Sequence, residues 1–189
     1  MRVIDERAIK AHADLRFRSE YDYALFEYYR SAKVIAFLDR AGVAVGGRIL
    51  DAGCGGGGMP LSLAEEAGAV VGIDPINRFA DAGIRLARDR GLANVHFAMA
   101  DGMALPFRNG AFDLVLSHAV IEHVSDALLY LRECARVLAP GDPERSLLWL
   151  RMNKLGRGRM PHVASSVIDP AGVRLVRAWI EQLPPMETD

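Results

Sequence analysis

Apolar residues recur along this chain in two rhythms, and the alternation between them sets out its elements. Over residues 21–38, Leu25, Tyr28, Tyr29, Ala32, Ile35 and Ala36 fall on one stripe at the 3.6-residue period, which predicts a helix with one apolar face. Gly42, Gly46 and Gly47 break that pattern. Ile49 and Leu50 then open a short apolar run that meets Asp51, Gly53, Gly55, Gly56, Gly57 and Gly58, and the apolar pattern resumes at Met59, Leu61, Leu63 and Ala64. This order predicts strand, glycine turn, helix. Ala69–Asp74 is a β-branched run closed by an acid and Pro75, as suits a buried parallel strand. Helical periodicity over residues 79–90 lasts until Gly91; a strand follows over 95–100, closed by Asp101 and Gly102. Leu105, Pro106 and Phe107 lie in a loop, Asn109 and Gly110 in a turn, and residues 112–117 read as a fourth strand. Ser125 is placed to cap a helix that runs to Leu138 and is stopped by Pro140 and Gly141.

Four alternations of strand and helix predict βαβ units, hence an α/β protein with a doubly wound, mostly parallel sheet of Rossmann-like type. With residues 146–150 (SLLWL) as a further strand, the sheet has about five. Right-handed crossovers put a ligand at the carboxyl ends of the strands. Asp74, Asp101 and Ser117 end three of them and are expected to share that edge with the glycine turn.

Composition narrows the setting. A chain of 189 residues with 51% hydrophobic content suits one α/β domain with a short appendage. Its 23 basic and 24 acidic residues nearly cancel, so no overall field draws nucleic acid or an anionic membrane. Residues 1–19 are polar and weakly periodic, which suits either a mobile arm or a helix laid over a site; no apolar run is long enough to span a bilayer, so no membrane insertion is expected. Cys54 and Cys134 sit in no paired or haem-attaching spacing and read as free thiols of a cytoplasmic protein. No metal site is expected.

Two ligands compete for the glycine turn. Gly53, Gly55 and Gly58 satisfy G-x-G-x-x-G, and Asp74 follows about twenty residues later, as a dinucleotide site requires. Asp51, two residues ahead of the first glycine, favours a ligand with a cationic centre, because an acid there repels a pyrophosphate. Near the fourth strand end, His118, Glu122 and His123 are available for proton transfer. Capping and local hydrogen bonding account equally simply for Glu122 and His123, and His118 is the candidate catalytic group. On the first long helix, Tyr21, Tyr23 or Arg30 could line an acceptor pocket, or the helix could serve packing alone.

The runs ILDAGCGGG, VVGIDP, FAMADGMALPF, FDLVLSHAVIEHV and LRECARVLAPG, in this order, resemble the class I S-adenosylmethionine-dependent methyltransferases, and most closely their small-molecule "type 11" branch, over residues 21–140. That resemblance implies methyl transfer from S-adenosylmethionine to a small-molecule acceptor. It implies that Asp51, Gly53 and Gly55 hold the amino acid end of the cofactor and that Asp74, with Pro75 beside it, meets the ribose hydroxyls. By the same resemblance Asp101, Gly102 and Met103 meet the adenine, while Ser117 and His118 line the methionine portion.

Beyond Pro140 the chain departs from the family. The expected fifth strand is followed by Arg151, Lys154, Arg157 and Arg159, then by a helix opened by Asp169 and Pro170 with Val173, Val176, Ile180 and Leu183 on one face, and the family's terminal strands are missing. This tail is similar to the closing segment of cytochrome-c-like domains, with Met160 at the axial-ligand position but without the haem-attachment motif. The organisation expected is an arm over 1–20, a cofactor-binding domain over 21–150 and a basic loop with a helix over 151–189. A composite or truncated chain that binds the cofactor without turnover, and an NAD(P)-dependent oxidoreductase, are the alternatives to the methyltransferase. The acceptor and the oligomeric state are not legible.

Overall fold

The computed structural model describes residues 4–76, 80–138 and 170–181. The expected strand at 146–150, the basic positions from Arg151 to Arg159, Met160 and the point at Pro140 beyond which the chain departs from the family lie outside the described residues.

The sheet follows from the apolar runs. β1 (Arg48–Ala52), β2 (Ala69–Asp74), β3 (Val95–Met99) and β4 (Leu114–Leu116) lie in the order β3-β2-β1-β4, and all three pairings are parallel. Register sets Asp51 opposite Gly72 of β2 and opposite Leu116 of β4. The chain steps outward from β1 to β3, then returns to place β4 on the other side of β1. The switch point therefore falls between β1 and β4, where doubly wound sheets open a crevice at the strand ends. β4 is shorter than expected: Phe112 makes only an isolated bridge to Leu138 instead of extending the strand.

Parallel strands need apolar cover on both faces. On one face α2 (Glu20–Arg40), α3 (Gly58–Ala64) and α4 (Ala80–Asp89) pack over Ile49, Val70, Val95, Leu114 and Leu116. On the other, Tyr130 and Val137 of α5 (Ala127–Val137) pack with Leu105 and Phe112 over Leu50, Ala52 and Ile73. Because strand side chains alternate, Asp51 shares the face of Ile49 and points toward the α2 side.

α2 begins at Ser19, whose side chain accepts from the Asp22 amide. It packs unusually close to α3: a Cβ on Gly58 would stand 2.3 Å from the Tyr28 nitrogen and 2.4 Å from the Glu27 Cβ, so only glycine fits there. The polar N-terminal residues form α1 (Glu6–Leu15), which lies along α2 with an ion pair from Lys33 to Glu6 and the His12 ring stacked on Tyr29. α6 (Pro170–Glu181) begins at the expected proline, and Val173 on it is buried. The cap of α5 corrects the sequence expectation: Asp126, one residue after Ser125, accepts from the Leu129 amide, because its extended backbone aims the carboxylate back at the first turn.

Candidate functional site

The glycine turn follows β1 at the switch point. The Gly53 and Cys54 amides both donate to the Ile73 carbonyl of β2, and the Gly57 amide donates to Cys54, which curls the turn over the strand ends. Gly55 has φ +50°, and nothing lies within 4 Å of where its Cβ would be, so its backbone faces open space. Val120, arriving from the loop after β4, closes against Gly53, and Tyr23 of α2 closes against Gly56. The turn is thus walled on two sides.

Asp74 ends β2 and reaches back to the turn. Its Oδ2 accepts from the Gly55 amide at 3.0 Å and its Oδ1 from the Ile76 amide at 2.9 Å. Pro75 lies exposed between them. With Cys54, Gly55, Gly72, Phe97 and Met99, Asp74 lines a tight cleft of about 10 Å³ at the strand ends. A roomier groove of about 610 Å³ lies elsewhere, between α2 and α4, and includes Tyr21, whose hydroxyl donates to Asp89 at 2.6 Å. It shares no residue with the glycine turn.

Asp51 is the most telling group. It is 2% exposed, and among the described residues its carboxylate receives no side-chain or backbone hydrogen bond. Burial, with the Glu27 and Asp74 carboxylates adding to it, pushes its acid up to about 7. Glu27, on α2, is also pushed up by burial, although Arg30 at 3.0 Å opposes this. Burial, then the charges of Asp51 and Asp74, push the Cys54 thiol up as well, which leaves it unreactive. Cys134 is raised to about 11, chiefly by burial. Both cysteines are free.

Beyond β3, exposed Asp101 accepts from the Met103 amide at 2.8 Å, and Gly102 leaves room for the Tyr130 ring, which a Cβ would meet at 2.6 Å. Ser117 and His118 follow β4 directly and are exposed. Ala119 then takes φ +57°, an uncommon left-handed conformation for a residue with a Cβ, and turns the loop so that Val120 meets Gly53. Glu122 and His123 lie exposed farther along; the His123 amide donates to the Val120 carbonyl.

The structure therefore brings Asp51, Gly53, Gly55 and Asp74 together at the turn, and sets Asp101, Gly102, Met103, Ser117 and His118 on the loops after β3 and β4. Of the three residues singled out on α2, Tyr23 joins the turn, Tyr21 turns to α4, and Arg30 reaches the site only through Glu27. Two site residues were missed. Tyr130, almost fully buried, stands between the ends of β1 and β4: its hydroxyl donates to the Ala52 carbonyl at 2.9 Å and, having one proton, accepts from Ser117 at 2.8 Å. Glu27 is the other; its lack of an apolar side chain at a packed helix position was the only available signal.

The methyltransferase-domain family (Methyltransf_11) matches residues 50–142, the stretch that carries the turn, Asp74, Asp101 and the β4 loop. Norajmaline N-methyltransferase of Rauvolfia serpentina is 39% identical over 97 residues, which cover 50% of this chain and 33% of that enzyme. Ubiquinone biosynthesis O-methyltransferase of Rhizobium etli is 34% identical over 104 residues, 50% of this chain and 38% of its relative. The crystal structure of the YcgJ protein from Bacillus subtilis superposes with a TM-score of 0.51 at 26% identity, covering 62% of this chain and 56% of the other. The chain thus spans from about a third to a little over half of the length of these relatives. Motif order, a parallel sheet with its switch point at β1 and β4, and the acid-bearing glycine turn agree with these likenesses: residues 50–142 of this chain match the methyltransferase-domain family.

Proposed function

We propose that the protein binds S-adenosylmethionine at the glycine turn and transfers its methyl group to a small-molecule acceptor. The observation that carries this reading is Asp51, a buried carboxylate without a hydrogen bond among the described residues, flanked by Glu27 and Asp74 beside an open stretch of backbone. Such a site suits a ligand bearing positive charge. It opposes a pyrophosphate, which speaks against a nicotinamide dinucleotide despite the G-x-G-x-x-G spacing.

Bound there, S-adenosylmethionine supplies a methyl group already activated on a sulfonium. The chain's residues then have to hold, align and keep dry. Asp51, with the Gly53 and Gly55 backbone, holds the amino acid end. Asp74 is fixed by two amides and keeps lone pairs for the ribose hydroxyls, with Pro75 alongside. Ile76 and Met99, 55% and 66% exposed, line the strand-end cleft beside Asp74 and would border the adenine. Asp101, Gly102 and Met103 meet its edge. Ser117, anchored by Tyr130, and His118 line the methionine portion, and alignment there supplies most of the rate. His118 takes a proton when the acceptor must lose one.

The two curated relatives are named for an N- and an O-methylation, so the acceptor atom stays open within a small-molecule class. Among the described residues no helix is long and apolar enough to cross a membrane, and the two free thiols fit a reducing, cytoplasmic setting. The experiment is transfer of labelled methyl from S-adenosylmethionine to a panel of phenols, quinols, amines and carboxylates. Turnover is expected with at least one class, and Asp74→Ala should lower affinity for S-adenosylhomocysteine by about 2 kcal/mol, roughly thirtyfold. Binding without turnover on any class favours the incompetent remnant, and unchanged affinity in Asp74→Ala removes Asp74 from the site.

A further inference from the structure

Helix α2 does more than cover the sheet. The missing side chain of Gly58 lets the Glu27 backbone and Cβ settle against the start of α3, and Tyr23, one turn earlier, lies on Gly56. Both residues therefore stand at the flank of the glycine turn on the face toward which Asp51 points. Around Asp51 the charged and titratable groups are Tyr23, Glu27 and Arg30 from α2, Cys54 from the turn, Asp74 from β2 and Tyr130 from α5. Arg30 is the one cation in this set, and its guanidinium is spent on Glu27 at 3.0 Å. Arg30 thereby opposes the burial that raises the Glu27 acid, and Asp51, 2% exposed and without a hydrogen bond among the described residues, feels the Glu27 carboxylate.

We propose that Glu27 is a positioning residue that acts through Asp51 and makes capture of the ammonium-bearing cofactor a proton-releasing event. This rests on S-adenosylmethionine being the ligand of the turn. Below about pH 7 Asp51 holds a proton in the free protein, because burial and then Glu27 disfavour its charge. An incoming ammonium replaces that proton as the neutralising partner, and the proton passes to solvent. Cofactor affinity is then linked to pH by the difference in protons held before and after binding. Burial sets most of where on the pH scale the linkage falls, and Glu27 moves it further up, so that it tunes binding near neutrality without touching the methyl group.

The test is calorimetry of S-adenosylhomocysteine binding in buffers of different ionisation enthalpy, across the range from about pH 6 to about pH 8. Wild type is expected to release close to one proton per ligand at the acid end and almost none at the alkaline end. Its affinity is expected to fall by up to about tenfold per pH unit below neutrality. Glu27→Gln should move that fall to lower pH by on the order of one unit. Asp51→Asn should abolish the proton release, with circular dichroism confirming that both variants are folded. An equal weakening of Glu27→Gln at every pH, with release unchanged, would show a merely structural helix residue and overturn the inference. So would undiminished release from Asp51→Asn, or wild-type binding with no proton released anywhere in the range, which does not depend on any variant folding. No binding of S-adenosylhomocysteine at any pH rejects the cofactor reading itself, and the inference with it.

Discussion

Asp51 is a carboxylate whose charge costs the free protein stability and, on the proposed reading, serves the ligand. Its acid is raised to about 7 by burial first and by Glu27 and Asp74 next, so the folded state holds a proton that the unfolded chain has released above the ordinary carboxylate range. Stability therefore falls as pH rises from about 4 to about 7 and levels off above that. Asp51→Asn removes the penalty. Urea unfolding of the cofactor-free variant should show a gain on the order of a few kcal/mol at about pH 8, shrinking to near zero at about pH 4. An equal gain at both pH values, or a loss at the alkaline one, contradicts this account of the site. The sequence exposed Asp51 and Asp74 because both end strands beside the glycines. It did not expose Glu27 or Tyr130, which reach the same edge from helix positions 24 residues before and 79 residues after Asp51, distances that only the fold closes.

The elements divide in the same way. α2 through α5 were legible from periodicity, since each buries a continuous apolar stripe against the sheet. α1 is only half legible, as one of two readings of residues 1–19 beside a mobile arm, because it buries no residue; it is held by the Asp5 cap, the Glu6 to Lys33 pair and the His12 stack on Tyr29. The loop after β3 carries no periodic pattern in the sequence, yet it is tied to α5. Arg136 donates to the Leu105 and Phe107 carbonyls at 2.8 and 2.7 Å and pairs with Glu133, while the Leu105 amide donates to Glu133 at 2.8 Å. This network holds the stretch that begins at Asp101, Gly102 and Met103. Arg136→Met should cost about 1–3 kcal/mol in urea unfolding and speed amide exchange over residues 103–107. Unchanged stability and exchange would show that the loop stands without it.

At the scale of the whole molecule, the α/β class, the parallel sheet and the placement of a site at its carboxyl edge follow from the alternation of apolar runs and from the position of the glycines. The strand order adds what periodicity alone does not: β4 returns beside β1, so the loop carrying Ser117, His118 and Val120 closes on the turn after β1. Tyr130 then ties the two strand ends together across the switch point. The site is a crevice that is acidic on its α2 side and lined by open backbone at Gly55, a combination suited to a cationic nucleoside. Thermal unfolding with each candidate ligand tests this most directly. S-adenosylhomocysteine at 100 times its dissociation constant should add about 2.7 kcal/mol of stability, a rise of roughly 5–10 °C, while NADH leaves the transition in place. Stabilisation by NADH with no response to S-adenosylhomocysteine would contradict the account.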